Sequence, residues 1–508
     1  MKRTLVCFNF VSPFCFLSCD YLSRALVPRD GNLPRPVRQF HLSVSLSRFG
    51  IAMGYRIMDQ EYVPRAIDAQ ILAFIRDRTE CKQVLLVEGA RQVGKTMLVQ
   101  NSLAASGKRV VTINLERDAL LCSAIDTCAE FKEFAEVLRD RTGFSGDSDS
   151  VLFVDEAQES TKLGRFVRFM KEEWRKATVI LTGSTLQRLF RPEVRYPVGR
   201  VRTMVLWPFS FTEFLRASGD GHLADEIASG DLRLSVPRHE HILSLYDRYL
   251  ETGGLPAVVN ARSGGKDYLS VRAQIIAGYR RDFLRIFGED AIEMVDACLR
   301  SVANFVGGVS KNTSVVPSPG TRMNERINGI FARLESWHLL LRSEQRGPSD
   351  AASHAYLPKR YLFDTGMLRH LRESAVPSIG ILRSLTAITR LPLGGILENQ
   401  TAIELAKLSE TLAGWKRSSA GGEIDFVAKI AGRTLPVECK ASLSVNARHL
   451  KGIAGYLRDY GEKTGVVVCF AAFSTVKLDA GRRIIVLPAY FLERITDAVA
   501  RAGQQSSS

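Results

Sequence analysis

Paired cysteines are missing from this sequence: nine cysteines are present, yet none forms a C-x-x-C pair or a zinc-ligand spacing. A disulfide framework and a structural zinc site are therefore not expected, and a reducing cytoplasm is the setting that fits. Long apolar runs are missing too. Beyond the amino-terminal leader no segment reaches the roughly 18 consecutive apolar residues that cross a bilayer, so no integral membrane association is expected. Acids are scarce in one stretch: residues 1–52 hold Lys2, Arg3, Arg24, Arg29, Arg35, Arg38 and Arg48 against only Asp20 and Asp30. Lys2-Arg3 ahead of the apolar residues 4–17 resembles a secretory signal, and the Arg- and Ser-rich remainder resembles an organellar transit peptide.

What is present is ordinary in bulk. A chain of 508 residues with 45% hydrophobic and 24% charged residues is globular and long enough for two to four domains. The net charge of +15 and pI near 9.5 favour an acidic partner such as DNA, RNA or an anionic membrane surface.

The chain is organised around residues 83–100, QVLLVEGARQVGKTMLVQ. An apolar run at 84–87 predicts a buried strand, and a helical pattern follows. Between them Gly89-Ala90-Arg91-Gln92-Val93-Gly94-Lys95-Thr96 fits G-x-x-x-x-G-K-[ST]. Gly89 and Gly94 let the backbone wrap a phosphate with N–H groups pointing inward at the positive end of the next helix. Lys95 is placed to reach the β- and γ-phosphates of ATP, and Thr96 to offer its hydroxyl to Mg²⁺. ATP is scarce outside cells, which argues against export. The leader is accordingly expected to lie outside the fold, with translation starting at Met53 or Met58.

Further strands are expected at 109–115, 151–154 and 178–181. The second ends in Asp155-Glu156, where Asp155 would hold the Mg²⁺ water shell and Glu156 would orient the attacking water. The third ends at Thr182-Gly183-Ser184, where Ser184 is a candidate to touch the γ-phosphate or that water, or else a helix cap. Strands alternating with helices predict a doubly wound parallel α/β fold, with ligand at the strand carboxyl ends.

GARQVGKT, VDEAQ, LTGST, PVGR (197–200) and PFSFTEF, followed by TGGLPAVV, KRYLFDTGML, GGILENQTAIEL and GGEIDFVAKIAGRTLPVECKAS, arrive in an order that resembles a prokaryotic AAA+-like P-loop ATPase family. That family carries a C-terminal restriction-endonuclease-like domain of unknown function. The resemblance spans about 60 to 490. It implies an ATPase core at 54–215, a helical linker at 216–380 with a winged-helix-like element, and a nuclease-like tail at 381–508, with 1–52 as leader. It also makes Arg200 a candidate for completing the ATP site, in its own subunit or a neighbour's, unless it is only a structural ion pair.

Residues 216–300 read as helical, with a break at Gly253-Gly254 and Pro256. Pro317 and Pro319 fall where a winged helix wants a helix, so only 321–340 reads as one. The loop 346–354 is expected to face solvent. In the tail a helix at 397–409, strands at 414–417, 423–430 and 435–440, a helix at 447–460 and strands at 465–470 and 482–487 suit a restriction-endonuclease-like core. Glu398, Asp425 and Glu438 are then candidate Mg²⁺ ligands with Lys440 as the nuclease lysine, because Glu438 and Lys440, two apart in a strand, share a face. Cys439 should point to the opposite, core face.

The function expected is ATP binding and hydrolysis coupled to a tail that contacts DNA or RNA. The alternative is a nucleotide-gated switch whose tail only binds a protein partner. Oligomerisation is compatible with both, and a third option is that the basic leader touches a membrane surface.

Overall fold

A computed structural model describes residues 62–190, 197–349, 356–409, 411–417, 422–430 and 432–504. The leader, both candidate start methionines, Gly421 and Ala431 lie outside the described residues. All elements below belong to one unit, Glu61–Ser508.

The first folded region is a sheet of five parallel strands, β1 Val84–Glu88, β2 Arg109–Asn114, β3 Ser150–Asp155, β4 Thr178–Thr182 and β5 Val201–Val205, in the order β2-β3-β4-β1-β5. Strands β3 and β4 are buried throughout, as unbroken apolar runs in a parallel sheet require. Helices cover both faces. On one, α4 (Phe131–Thr142) and α5 (Leu163–Glu173) stack Phe134 on Phe166 with ring centroids 4.7 Å apart. On the other, α1 (Asp68–Arg76) and α2 (Lys95–Ala104) bury Ile71, Leu98 and Val99. The third helix, α3 (Ala119–Thr127), follows β2. Edge strand β5 was not expected, because VRTMV leaves Arg202 and Thr203 exposed and has no continuous apolar run.

A helical region follows: α6 Phe211–Ala217, α7 Gly221–Ser229, α8 Val236–Thr252, α9 Pro256–Ser263, α10 Tyr268–Phe287, α11 Glu289–Asn304 and α12 Thr321–Ser336. Between α11 and α12 only residues 312–314 form a single tight turn, as the two prolines predict. An antiparallel hairpin, β6 Leu340–Arg346 and β7 Lys359–Leu362, comes next and was not foreseen. Helices followed by a hairpin have winged-helix order, but the outer edge of this wing is already paired to another strand.

That strand belongs to the tail. β8 Leu412–Lys416 runs parallel to β6, pairing Leu412 with Ser343, and completes a sheet β7-β6-β8-β9 with β9 Glu423–Ile424. The division expected at 380 is therefore crossed by one sheet. A second tail sheet has the order β10-β11-β12-β14-β13: β10 Phe426–Ile430, β11 Arg433–Lys440, β12 Thr464–Cys469, β13 Ser474–Lys477 and β14 Arg483–Pro488. Four helices accompany these sheets: α13 Thr365–Leu371, α14 Ala387–Ala406, α15 Ala447–Asp459 and α16 Ile495–Gln504. α14 starts ten residues before the expected helix. Leu391 to Gly395 reads as a helix breaker, yet Gly395 is helical and packed so closely that a Cβ there would meet Val306 Cγ1 at 2.5 Å.

Gly254 joins the core to the helices. Phe209 N–H donates to Gly254 O at 2.7 Å, and a Cβ on Gly254 would stand 2.3 Å from Phe209 O. Gly254 N–H in turn donates to the buried Asp364 carboxylate at 2.7 Å. Gly254→Ala should therefore push these backbones apart and lower unfolding stability by about 1–3 kcal/mol, read from the urea midpoint.

Candidate functional site

The phosphate loop is built from backbone conformations that its glycines permit. Gly89 has φ +140°, and a Cβ there would lie 2.3 Å from Leu206 O; Gly94, at φ +96°, opens α2. Gln92 also takes a positive φ, 67°. Ala90 and Val93 are buried beneath the loop. The Lys95 ammonium is buried and donates to Gly89 O and Ala90 O, both at 2.9 Å. Burial brings its pKa down to about 8, against the opposing pull of Glu156 and Asp155.

β4 separates β1 from β3, but α2 closes the gap. Asp155 accepts hydrogen bonds from Thr96 Oγ1 at 3.0 and 3.2 Å, from Asn114 Nδ2 at 3.0 Å and from Thr182 Oγ1 at 2.5 Å. Glu156, next in the chain, sits in the left-handed region at φ 50°, an uncommon conformation for a non-glycine residue. Burial pushes its carboxyl pKa up, partly offset by the Gln158 amide, which donates at 2.6 Å. Gln158 Oε1 is buried with no hydrogen-bond partner, and it lies so near Gly183 that a Cβ there would meet it at 1.9 Å.

A cleft opens beside Arg91 of the loop and Glu156. Arg91, Glu116, Glu156, Gln158, Ser184 and Thr185 line it from the core, and Tyr279, Asp282, Arg285, Trp337 and Leu339 from the helical region. α10 lies across the loop: Asp282 pairs with Arg91 at 2.5 Å, and Tyr279 Oη donates to Arg91 O. The chemistry of the donors fits Mg-ATP. A buried ammonium bonded to loop carbonyls, a helix amino terminus, and a hydroxyl with a carboxylate are the donor set of a polyanion site beside a hard-oxygen metal site.

Of the expected residues, Gly89 to Thr96, Asp155, Glu156 and Ser184 meet here. Arg200 does not. It precedes β5 at the amino end of the sheet, about 16 Å of strand from the loop, and pairs with Glu172 at 3.2 Å. Because β1 and β5 are parallel, it cannot reach the ATP site of its own chain. The sequence reading missed several supports. Gln158 lies two residues beyond Glu156 in VDEAQ, and Asn114 ends β2. Arg65 is buried and donates to Val93 O at 3.1 Å from behind the loop while pairing with Glu213 at 3.0 Å. His338 Nε2 lies 2.9 Å from Glu88 Oε2.

In the tail, Asp425 accepts the Cys439 N–H at 2.8 Å, Lys440 Nζ donates to Glu438, and Cys439 faces inward as expected. Burial and the neighbouring Asp425 charge push the Glu398 and Glu438 carboxyls upward. Yet an unforeseen residue stands among these acids. Lys359, on β7, places its ammonium 2.9 Å from Glu398, 2.6 Å from Glu423 and 3.5 Å from Asp425. Burial alone would lower its pKa, but those three carboxylates hold it above its ordinary value. Among the described residues no three His, Cys, Asp or Glu side chains are placed to hold a metal ion. The Mg²⁺ site expected of Glu398, Asp425 and Glu438 does not fit this arrangement, because the Lys359 ammonium engages the first two and the Lys440 ammonium the third. KRYLFDTGML contained the signal, but nothing in the sequence tied Lys359 to residues so far along the chain.

Three family models match: an AAA domain over residues 81–215, a domain of unknown function (DUF8612) over 243–378 and another (DUF4143) over 393–490. No curated protein matches. Solved structures that align include Cdc6p from Pyrobaculum aerophilum, with TM-score 0.24 and 14% identity, covering 56% of this chain and 89% of that one. The Aeropyrum pernix Orc1 protein in complex with DNA aligns with TM-score 0.25 and 13% identity, covering 60% and 89%. Overlaps this loose add nothing to the fold already described. Residues 81–215, with their parallel sheet and phosphate loop, form a P-loop ATPase domain of the AAA type.

Proposed function

We propose that the chain binds Mg-ATP in the cleft between the core and α10, hydrolyses it, and passes the nucleotide state to a tail that contacts nucleic acid. The observation that carries this reading is the Asp155 hub. One carboxylate, bonded to the helix that follows the loop and to the ends of β2 and β4, stands beside a glutamate held in a left-handed conformation over the cleft.

The loop N–H groups and Lys95 would hold the phosphates; Thr96 and Asp155 would hold Mg²⁺, which would supply positive charge to offset that of the phosphates. Glu156, kept in place by Gln158, orients the water, and Ser184 sits where it can sense the terminal phosphate. Contacts from α10 to the loop, and from His338 to the end of β1 just before it, would give the helical region a means of responding to nucleotide. Arg200, if it acts on ATP, does so on a neighbouring subunit's site, so that role requires an oligomer.

Charge supports a nucleic-acid partner. The leader's seven basic and two acidic residues account for only part of the +15, leaving +10 on the rest. No helix among the described residues is long and apolar enough to cross a membrane. We assign the cytoplasm on cysteine usage and ATP dependence. Lys359 favours the second reading of the tail, a platform that binds DNA, RNA or protein without cutting.

Lys95→Ala should weaken binding of fluorescent ADP at least about hundredfold. Wild-type affinity in that variant sinks the ATP assignment. Glu156→Gln should keep nucleotide affinity and lose about 10²- to 10³-fold in turnover, while Gln158→Ala loses about tenfold, both read by phosphate release. Binding to labelled DNA and RNA should weaken steeply between low and physiological salt. Mg²⁺-dependent cleavage abolished by both Asp425→Ala and Lys440→Ala would restore the nuclease reading.

A further inference from the structure

A nuclease-like centre takes its chemistry from a divalent ion held by converging carboxylates. In this chain the corresponding acids come from three elements: Glu398 on α14, Asp425 between β9 and β10, and Glu438 on β11. A fourth, Glu423 on β9, lies beside them. What stands among them arrives from outside the tail, on the wing hairpin of the helical region.

We propose that Lys359 is the resident cation of this centre, holding Glu398, Glu423 and Asp425 in place of a divalent metal, so that the tail engages its partner without metal-dependent cleavage. The proposal rests on reading the tail as a nuclease-like fold. An ammonium has three N–H donors, and Lys359 has three carboxylates around it, at 2.6, 2.9 and 3.5 Å. Its side chain is 2% exposed, so no water shell competes for those donors.

Glu398 is closed on both oxygens. Oε1 accepts from Lys359 and, at 2.8 Å, from Tyr361 Oη, also on β7; Oε2 packs on Gly307, where a Cβ would come within 2.7 Å. Gly307, like β7, belongs to the helical region, which thus both fills the centre and covers it. Glu423 is further engaged by Lys416 at 3.3 Å, and Glu438 Oε1 by Lys440. Four acids therefore face three lysines, near neutrality without a metal. A divalent ion entering this shell would have to displace a buried ammonium or lie against it, and like charges at such separations repel strongly in a low dielectric. One oxygen stands apart: Glu438 Oε2 is buried without a hydrogen-bond partner. It marks the direction from which an ion could still be held, so the wild-type titration below is decisive in itself.

The ladder carrying Lys359 also reaches the ATP cleft. Lys359 pairs with Ser343 on β6, and β6 begins just after Trp337, His338 and Leu339, which touch Glu88 or line the cleft. The same hairpin thus ends at one site and begins at the other.

The test uses the full chain without nucleotide, titrated with Mn²⁺ and followed by electron paramagnetic resonance of the free ion. Wild type and Asp425→Asn should bind Mn²⁺ alike. Lys359→Met should gain a site at least about tenfold tighter than any in wild type, lost again in Lys359→Met with Asp425→Asn. A wild-type site that Asp425→Asn removes overturns the proposal, as does a folded Lys359→Met that gains none. Should Lys359→Met fold only with Mn²⁺ added, the exchange of one cation for the other is supported directly. If it does not fold at all, the wild-type comparison with Asp425→Asn decides. Nucleotide is absent throughout, so failure here leaves the ATPase assignment untouched, and failure of Lys95→Ala to lose ADP leaves this result standing.

Discussion

A buried carboxylate with four hydrogen-bond contacts governs the ATPase half. Asp155 ends a fully buried strand, where an isolated charge would be costly, and is tolerated because Thr96, Asn114 and Thr182 all donate to it. Those three residues come from α2, β2 and β4. Sheet order, loop placement and the start of α2 must therefore all be right before Asp155 can be buried. Satisfying this one group fixes the Thr96 hydroxyl beside the carboxylate at the start of α2 and leaves Glu156, the next residue, to turn outward over the cleft.

The helical region is a wedge with contacts to both ends. It touches the loop through Asp282 and Tyr279 and the end of β1 through His338, and enters the tail through β6, β7 and Gly307. The tail reaches back: Glu493 accepts from Thr212 at the start of α6, at 2.8 and 2.9 Å, and the buried His239 on α8 bonds Tyr490 at 2.6 Å. Arg65 and Glu213 continue this polar line to Val93 in the phosphate loop. Buried charged chains of this kind contribute little net stability but penalise wrong geometry, because every broken pair leaves a buried charge uncompensated. Whatever reorganises the loop is therefore felt along this line.

Legibility followed sequence distance. The loop, the strand before it, the helix after it and the DE pair could be read because their signals are local: apolar runs, glycine spacing and strand ends. The tail strands 423–440 and the helix at 447 were legible for the same reason. β5 and the wing hairpin were not, since an edge strand and a strand paired across 65 residues of intervening chain (347–411) show no distinctive local pattern. Whether Arg200 serves its own site, a neighbour's, or only an ion pair stayed open in the sequence, because motif order says nothing about which end of a sheet a residue occupies.

Sequence alone determined the glycine-bounded loop between strand and helix and an acidic cluster with a lysine, since backbone freedom at glycine and the two-residue period of a strand are properties of adjacent residues. Tertiary structure alone decided what surrounds those groups. Gln158 at Glu156, α10 over the loop, and above all Lys359 among the tail carboxylates are pairings between distant segments. They form because buried charges must find partners when the chain folds, and the order of residues does not specify those partners in advance.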